Sequence, residues 1–252
     1  MTKVLIAGEL PFVQEIGDLC LDAGCECLVY LVEDFLDAVQ GDYLSRKLRE
    51  IEVVIEVHNE SAEAKKELLF TLGNAIAPDA LLLTSALSAS ATQAAAWVPH
   101  PERVVGFGVV PPLAKHGLVE LALGLNSSAA ALDRARQFWT ELGYEPVMVG
   151  DGPGLVRARI ICCLINEAVT ALQEGVATAH DIDLAMKLGT NYPFGPLEWA
   201  DYLGLDTVLG VMTGLFEEWG DDRYRPNPLL RRMVISGRLG KKSGRGFYDY
   251  PS

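Results

Sequence analysis

Asp151-Gly-Pro-Gly-Leu-Val-Arg-Ala-Arg-Ile-Ile-Cys-Cys-Leu-Ile-Asn-Glu-Ala-Val-Thr-Ala-Leu-Gln-Glu174 is where the chain changes character. Asp151-Gly-Pro-Gly154 is turn chemistry, and Pro153 suits the first turn of a helix. Val156, Ile160, Ile161, Leu164, Ile165, Ala168, Val169 and Leu172 then recur at helical spacing, up to the stop at Gly175. The spacing predicts one long helix over 154–174 with a broad apolar face. Before this stretch, short apolar runs alternate with helical patterns; after it, no strand pattern follows.

Working upstream, Lys3–Ala7, Cys27–Val32, Val53–Val57, Ala80–Thr84, Val104–Val109 and Pro146–Val149 read as strands. Helical patterns fill 13–23, 62–75 with Ser61 as N-cap, and 128–142. Continuous apolar strands separated by helices predict a parallel sheet covered on both faces, a doubly wound, Rossmann-like α/β domain over residues 1–150. Downstream, Thr178-x-x-Asp181 resembles a capping box opening a helix that ends at Gly189. Further helices are predicted over 196–203, 206–219 and 227–236. A second, all-helical domain over 151–252 follows, of about 100 residues, a normal domain size.

The net charge is −13, and the pI is about 4.7. That balance argues against nucleic acid, whose phosphates need a basic footprint. No apolar run reaches the roughly 18 residues of a membrane span. The first residues lack the pattern of a signal peptide, so a cytoplasmic location is expected. The five cysteines, Cys20, Cys25, Cys27, Cys162 and Cys163, are expected as free thiols. Cys25-x-Cys27 lacks a second ligand pair and reads as packing, so no metal site is predicted. The one basic stretch, Arg231 to Arg245, reads either as a solvated face or as an anion-binding cluster.

Three stretches then stand in order: Asp151-Gly-Pro-Gly154; Asp181-Ile-Asp-Leu-Ala-Met-Lys-Leu-Gly189 with Tyr192-Pro-Phe-Gly-Pro-Leu-Glu198 and Asp201-Tyr-Leu-Gly-Leu-Asp206; and Gly240-Lys-Lys-Ser-Gly-Arg-Gly-Phe-Tyr248. Together they resemble the C-terminal domain of the 3-hydroxyacyl-CoA dehydrogenase family, and the resemblance extends more weakly through residues 1–150. It implies an NAD-dependent oxidoreductase of fatty-acid metabolism that moves a hydride between NAD and C3 of a 3-hydroxyacyl-CoA. It also implies a nucleotide held by the first domain, an acyl-CoA-like ligand, and a homodimer formed through the helical domain.

Carried over position by position, the resemblance makes Ser85 and Glu120 the catalytic candidates, and Gly8, Glu60 and Lys65 the cofactor-binding ones. The residues alone offer plainer readings: Ser85 as a strand-end turn serine, Glu60 as a strand-end acid, Lys65 as an exposed helix lysine. The pattern also departs from the family's. In Gly8-Glu-Leu-Pro-Phe-Val13 only Gly8 matches the family's three glycines; Leu10 and Val13 replace the others, and Pro11 removes a donor. Tyr30 stands where an acid is expected at the end of the second strand. Gly108 takes the place of the general-base histidine, Pro111 and Ala158 take the places of two asparagines, and only Glu33 to Glu50 joins the second and third strands. These departures predict weak pyrophosphate binding through the first loop and leave His116 as a substitute base or an exposed loop residue. Two readings follow: a divergent dehydrogenase, or a non-catalytic relative that binds an acyl-CoA-like ligand or acts as a dimeric interaction module.

Overall fold

Val53, Ile55 and Val57 face one side of their strand while Val54 faces the other, and all are buried. A strand apolar on both faces needs cover on both. The structure, a computed structural model that describes residues 1–250, supplies it. The first part runs β1 (Lys3–Gly8), α1 (Phe12–Asp22), β2 (Glu26–Leu31), α2 (Val32–Ala38), α3 (Asp42–Leu48), β3 (Val53–Val57), α4 (Ala62–Ala75), β4 (Leu81–Ser85), α5 (Ala91–Ala95), β5 (Val104–Gly108), β6 (Leu118–Ala122), α6 (Ala129–Glu141) and β7 (Glu145–Met148). The strands form one sheet in the order β2-β1-β3-β4-β5-β6-β7. Residues of α1 and α6 pack with one face (Val4, Ile6, Ile55, Phe107), and residues of α2 to α5 with the other (Leu5, Val54, Leu82, Val104). This is the doubly wound α/β arrangement that the alternation predicts.

The helical part follows as α7 (Arg157–Gln173), α8 (Ala179–Thr190), α9 (Pro196–Leu203), α10 (Leu205–Trp219) and α11 (Pro228–Ile235). Its core is continuous with the α1–α6 face of the sheet. No helix of the described residues is long and apolar enough to cross a membrane.

Four details differ from the sequence reading. Leu118–Ala122 is a strand, antiparallel to β5, so the sheet is mostly and not wholly parallel; Glu120 within it hides the apolar run, yet is itself buried. Residues 32–48 form two short helices, and Ala91–Ala95 a third, each too short to show periodicity. The long helix starts at Arg157, because Gly154 and Leu155 hold φ of +76° and +46°. Helix α8 runs past Gly189 and stops at Asn191, whose left-handed backbone ends it.

Candidate functional site

The strand order reverses between β1 and β3, the switch point at which open α/β sheets bind ligands beyond the carboxyl ends of the strands. Gly8 ends β1 there. A Cβ on it would lie 2.5 Å from the Val57 carbonyl, so only glycine lets the two strand ends run side by side. Val13 is buried against the sheet, yet it also lines the groove beside this loop. Leu10 is the exposed residue of the loop. Beside it opens a groove of about 340 Å³ that Gln14, Leu31 and Asp34 also line. Asp34, in the first turn of α2, is an acid on this groove just past the end of β2.

Glu9 does not face that groove. It is 6 % exposed and turns into the seam between the sheet and α10. Its carboxylate accepts from Asn59 N (2.9 Å) and from Thr207 Oγ1 (3.0 Å), and His58 Nδ1 lies 3.0 Å away. Asn59 in turn accepts from Ser85 Oγ at 2.8 Å. Ser85 thus closes a relay from the end of β4 to the start of α10. Glu60 pairs with Lys242, which also pairs with Asp206 at 2.7 Å. Asp206 and Glu60 outweigh the effect of burial and hold the Lys242 ammonium above its ordinary pKa. The basic stretch near the C-terminus therefore contributes one ion-paired ammonium to the seam and not only a solvated face.

Lys65 is fully buried, which corrects its reading as an exposed helix lysine. Its ammonium binds Glu56 (2.6 Å) and the His58 carbonyl (2.8 Å), and Thr84 donates to the same Glu56 carboxylate. The group ties α4 to β3 and β4 beneath the cleft.

At the end of β5 a Cβ on Gly108 would stand 2.8 Å from Leu155 Cδ1 and 3.3 Å from Glu120 Oε2. The Leu155 side chain covers the place of the histidine. Both Glu120 oxygens lie near the Arg157 N–H (3.1 and 3.3 Å), so this carboxylate caps the start of α7. Burial pushes its pKa up, and the N–H contacts oppose this without cancelling it. His116 lies exposed beside Gly143, after α6.

Helix α10 lies directly on the strand ends. A Cβ on Gly210 would collide with the Asn59 carbonyl, and one on Gly214 with the Ser88 carbonyl. Beyond Gly214 a cleft of about 570 Å³ opens among Ser88, Ser90, Thr92, Asp151 and Glu217. The sequence reading missed Asp34, Asn59, Thr207, Gly210 and Gly214. For the two glycines the signal is their spacing of four in a buried helix; for the rest there is none without the fold.

The family model described as "3-hydroxyacyl-CoA dehydrogenase, NAD binding domain" matches residues 30–152, and the one described as "3-hydroxyacyl-CoA dehydrogenase, C-terminal domain" matches 154–250. The β1–α1 loop lies outside both ranges. The chain is 42% identical over 210 residues to "Probable 3-hydroxybutyryl-CoA dehydrogenase" of Bacillus subtilis, covering 82% of this chain and 73% of that protein. It is 40% identical over 203 residues to "3-hydroxybutyryl-CoA dehydrogenase" of Bradyrhizobium diazoefficiens, with 81% and 69% covered. Among solved structures, M. tuberculosis FadB2 superposes with a TM-score of 0.82 at 30% identity, covering 100% of this chain and 99% of that one. The (S)-3-hydroxybutyryl-CoA dehydrogenase PaaH1 of Ralstonia eutropha gives 0.77 at 32%, with both chains covered in full.

Proposed function

The chain belongs to the 3-hydroxyacyl-CoA dehydrogenase family, and from that premise we propose that it is an NAD-linked oxidoreductase of short 3-hydroxyacyl-CoA thioesters such as 3-hydroxybutyryl-CoA. The observation that carries this reading is the 40–42% identity to proteins of that name over four-fifths of the chain. The matched NAD-binding domain and the groove beside Leu10 fit the cofactor. Gly8 and the first turn of α1 would take the pyrophosphate, Asp34 a ribose hydroxyl, and Glu60 would line the nicotinamide end. NAD, when bound, accepts the hydride from C3; the chain's own residues bind, orient and move the proton. With Gly108 in place of the histidine, the base nearest that position is Glu120. Its raised pKa suits it better than an exposed glutamate, but it is held by the Arg157 N–H. Turnover is therefore expected about 10²–10⁴-fold below that of a member with a positioned histidine.

A second reading, a non-catalytic relative that binds an acyl-CoA-like ligand or serves as a dimeric interaction module, is favoured by one observation: Leu155 covers the place of the base. Acetoacetyl-CoA reduction followed by NADH absorbance, with calorimetry of each ligand alone, separates the two. Slow turnover that depends on both ligands supports the dehydrogenase. Acyl-CoA binding without turnover supports the binder. No acyl-CoA binding and no turnover would sink the first reading and the ligand-binding form of the second. Exposed Ile160, Leu188, Trp219 and Ile235 on the helical part support a homodimer through that part, and a monomer by light scattering at micromolar concentration would remove it.

A further inference from the structure

We infer that Glu9, His58 and Glu60 form a seat for one divalent transition-metal ion at the switch point of the sheet. Their ligand atoms all lie within 4.8 Å of one another. The independent sign is His58: the residue is 6 % exposed, its Nε2 has no hydrogen-bond partner, and its Nδ1 meets only the Glu9 carboxylate. A buried polar group without a partner carries a desolvation cost that a native fold normally removes. Nδ1 stands 3.0 Å from Glu9 Oε2. That is an ion-pair distance, and it also matches two ligand atoms at right angles on an octahedral ion at about 2.1 Å from each.

The charges point the same way. Glu9, Glu60 and Asp206 bring three negative charges to the cluster, and Lys242 brings one positive. Lys65 is engaged behind it by Glu56. The carboxylates outnumber the one ammonium, and a divalent ion would offset the excess negative charge. Two carboxylates and one imidazole suit Mn²⁺ or Zn²⁺. Asn59 and Thr207, which bond the Glu9 carboxylate, orient it as outer-shell partners orient metal ligands. The seat also has a consequence for an anionic nucleotide: the ion offsets the Glu9 charge at the end of β1. That consequence, unlike the seat, rests on the NAD-linked reading.

The test uses the full chain, stripped with a chelator and titrated with MnCl₂ in the absence of nucleotide, with free Mn²⁺ followed by electron paramagnetic resonance. Mn²⁺ is the probe because the half-buried thiols of Cys25 and Cys27 would compete for Zn²⁺. One equivalent is expected to bind. His58→Ala and Glu60→Gln should each weaken it by at least about 100-fold, the upper end of what loss of an outer-shell partner costs. Glu60 is partly exposed, so Glu60→Gln keeps the test alive even where His58→Ala fails to fold. No saturable uptake by the folded wild-type chain up to millimolar Mn²⁺ would overturn the inference, and so would uptake that both folded variants retain. Either failure concerns the seat alone and leaves the NAD-linked reading standing.

Discussion

Helix α9 and strand β6 each carry a buried carboxylate, and the two have fared differently. Asp201 accepts from Phe247 N and Tyr248 N, both at 2.9 Å, and from Tyr250 Oη at 3.1 Å. Asp183 accepts in the same way from Leu197 N, Glu198 N and Tyr248 Oη. These are the residues of the stretches that resemble the family most closely. Their work is to cap α9 and to fasten the C-terminal turn, and a Cβ on Gly246 would collide with Asp201. On β6, opposite the end of β5, Glu120 keeps its place while Gly108 and Leu155 replace the chemistry beside it. The family's most legible signature in this chain is therefore a set of structural bonds. The fold can persist through it whatever happens at the reacting end.

The largest effect that tests this contrast is Asp201→Ala. It orphans two part-buried N–H groups and a tyrosine hydroxyl, and about 3 kcal/mol of stability should go, read by urea denaturation. A loss under about 1 kcal/mol would show that the signature does something other than hold the fold. Next is the pair Gly108→His with Leu155→Ala, which installs an imidazole next to Glu120 and clears the side chain that covers the position. Turnover of acetoacetyl-CoA is expected to rise about 100-fold, some 2.7 kcal/mol of barrier, whereas Gly108→His alone should not gain because Leu155 stands 2.8 Å from the new Cβ. If the single variant gained as much, the Leu155 cover would not matter.

Between these comes the seam. In an exposed helix, Gly→Ala gains about 1 kcal/mol. At Gly210 the added methyl meets the Asn59 carbonyl, which α4 and β3 hold fixed. The clash should win, costing about 1–3 kcal/mol and enlarging the radius of gyration seen by small-angle scattering as α10 lifts from the strand ends. Stabilisation without expansion would mean that α10 does not rest on the sheet in solution.

Much of the architecture was legible because burial on two faces leaves a continuous apolar run, as at Val53–Val57, and because the expected cap Ser61 does accept a helix N–H group. β6 was not legible, since a buried glutamate interrupts its pattern. The site was less legible for a different reason. Ser85, Glu60 and Lys65 could be placed by resemblance, but their partners lie far along the chain: Ser85 with Asn59, Glu60 with Lys242. Glu9 could be seen as an acid in a phosphate loop; only the fold shows it turned toward Thr207, nearly two hundred residues away.

The smallest expected change in stability belongs to Glu120→Gln, and it separates cap from base. Burial raises the pKa of Glu120 in the fold, so ionising it there is harder than in the unfolded chain. Its contribution must fall as pH rises from the ordinary glutamate range through that raised value. Glutamine keeps an acceptor for Arg157 N and loses the titration. The variant should therefore gain on the wild type as pH is raised from about 4.5 to 7.5, by less than about 1 kcal/mol, because the carboxylate's attraction to the start of α7 offsets part of the desolvation. Urea denaturation across that range reads the slope, and the opposite slope would mean that the helix start dominates. Turnover gives the second axis. If Glu120 takes the hydroxyl proton, the variant should lose about 10²-fold or more in kcat while its stability barely moves. If it is only a cap, kcat should stay within a few-fold, and this β6 residue would then serve as Asp201 does, as a structural anchor.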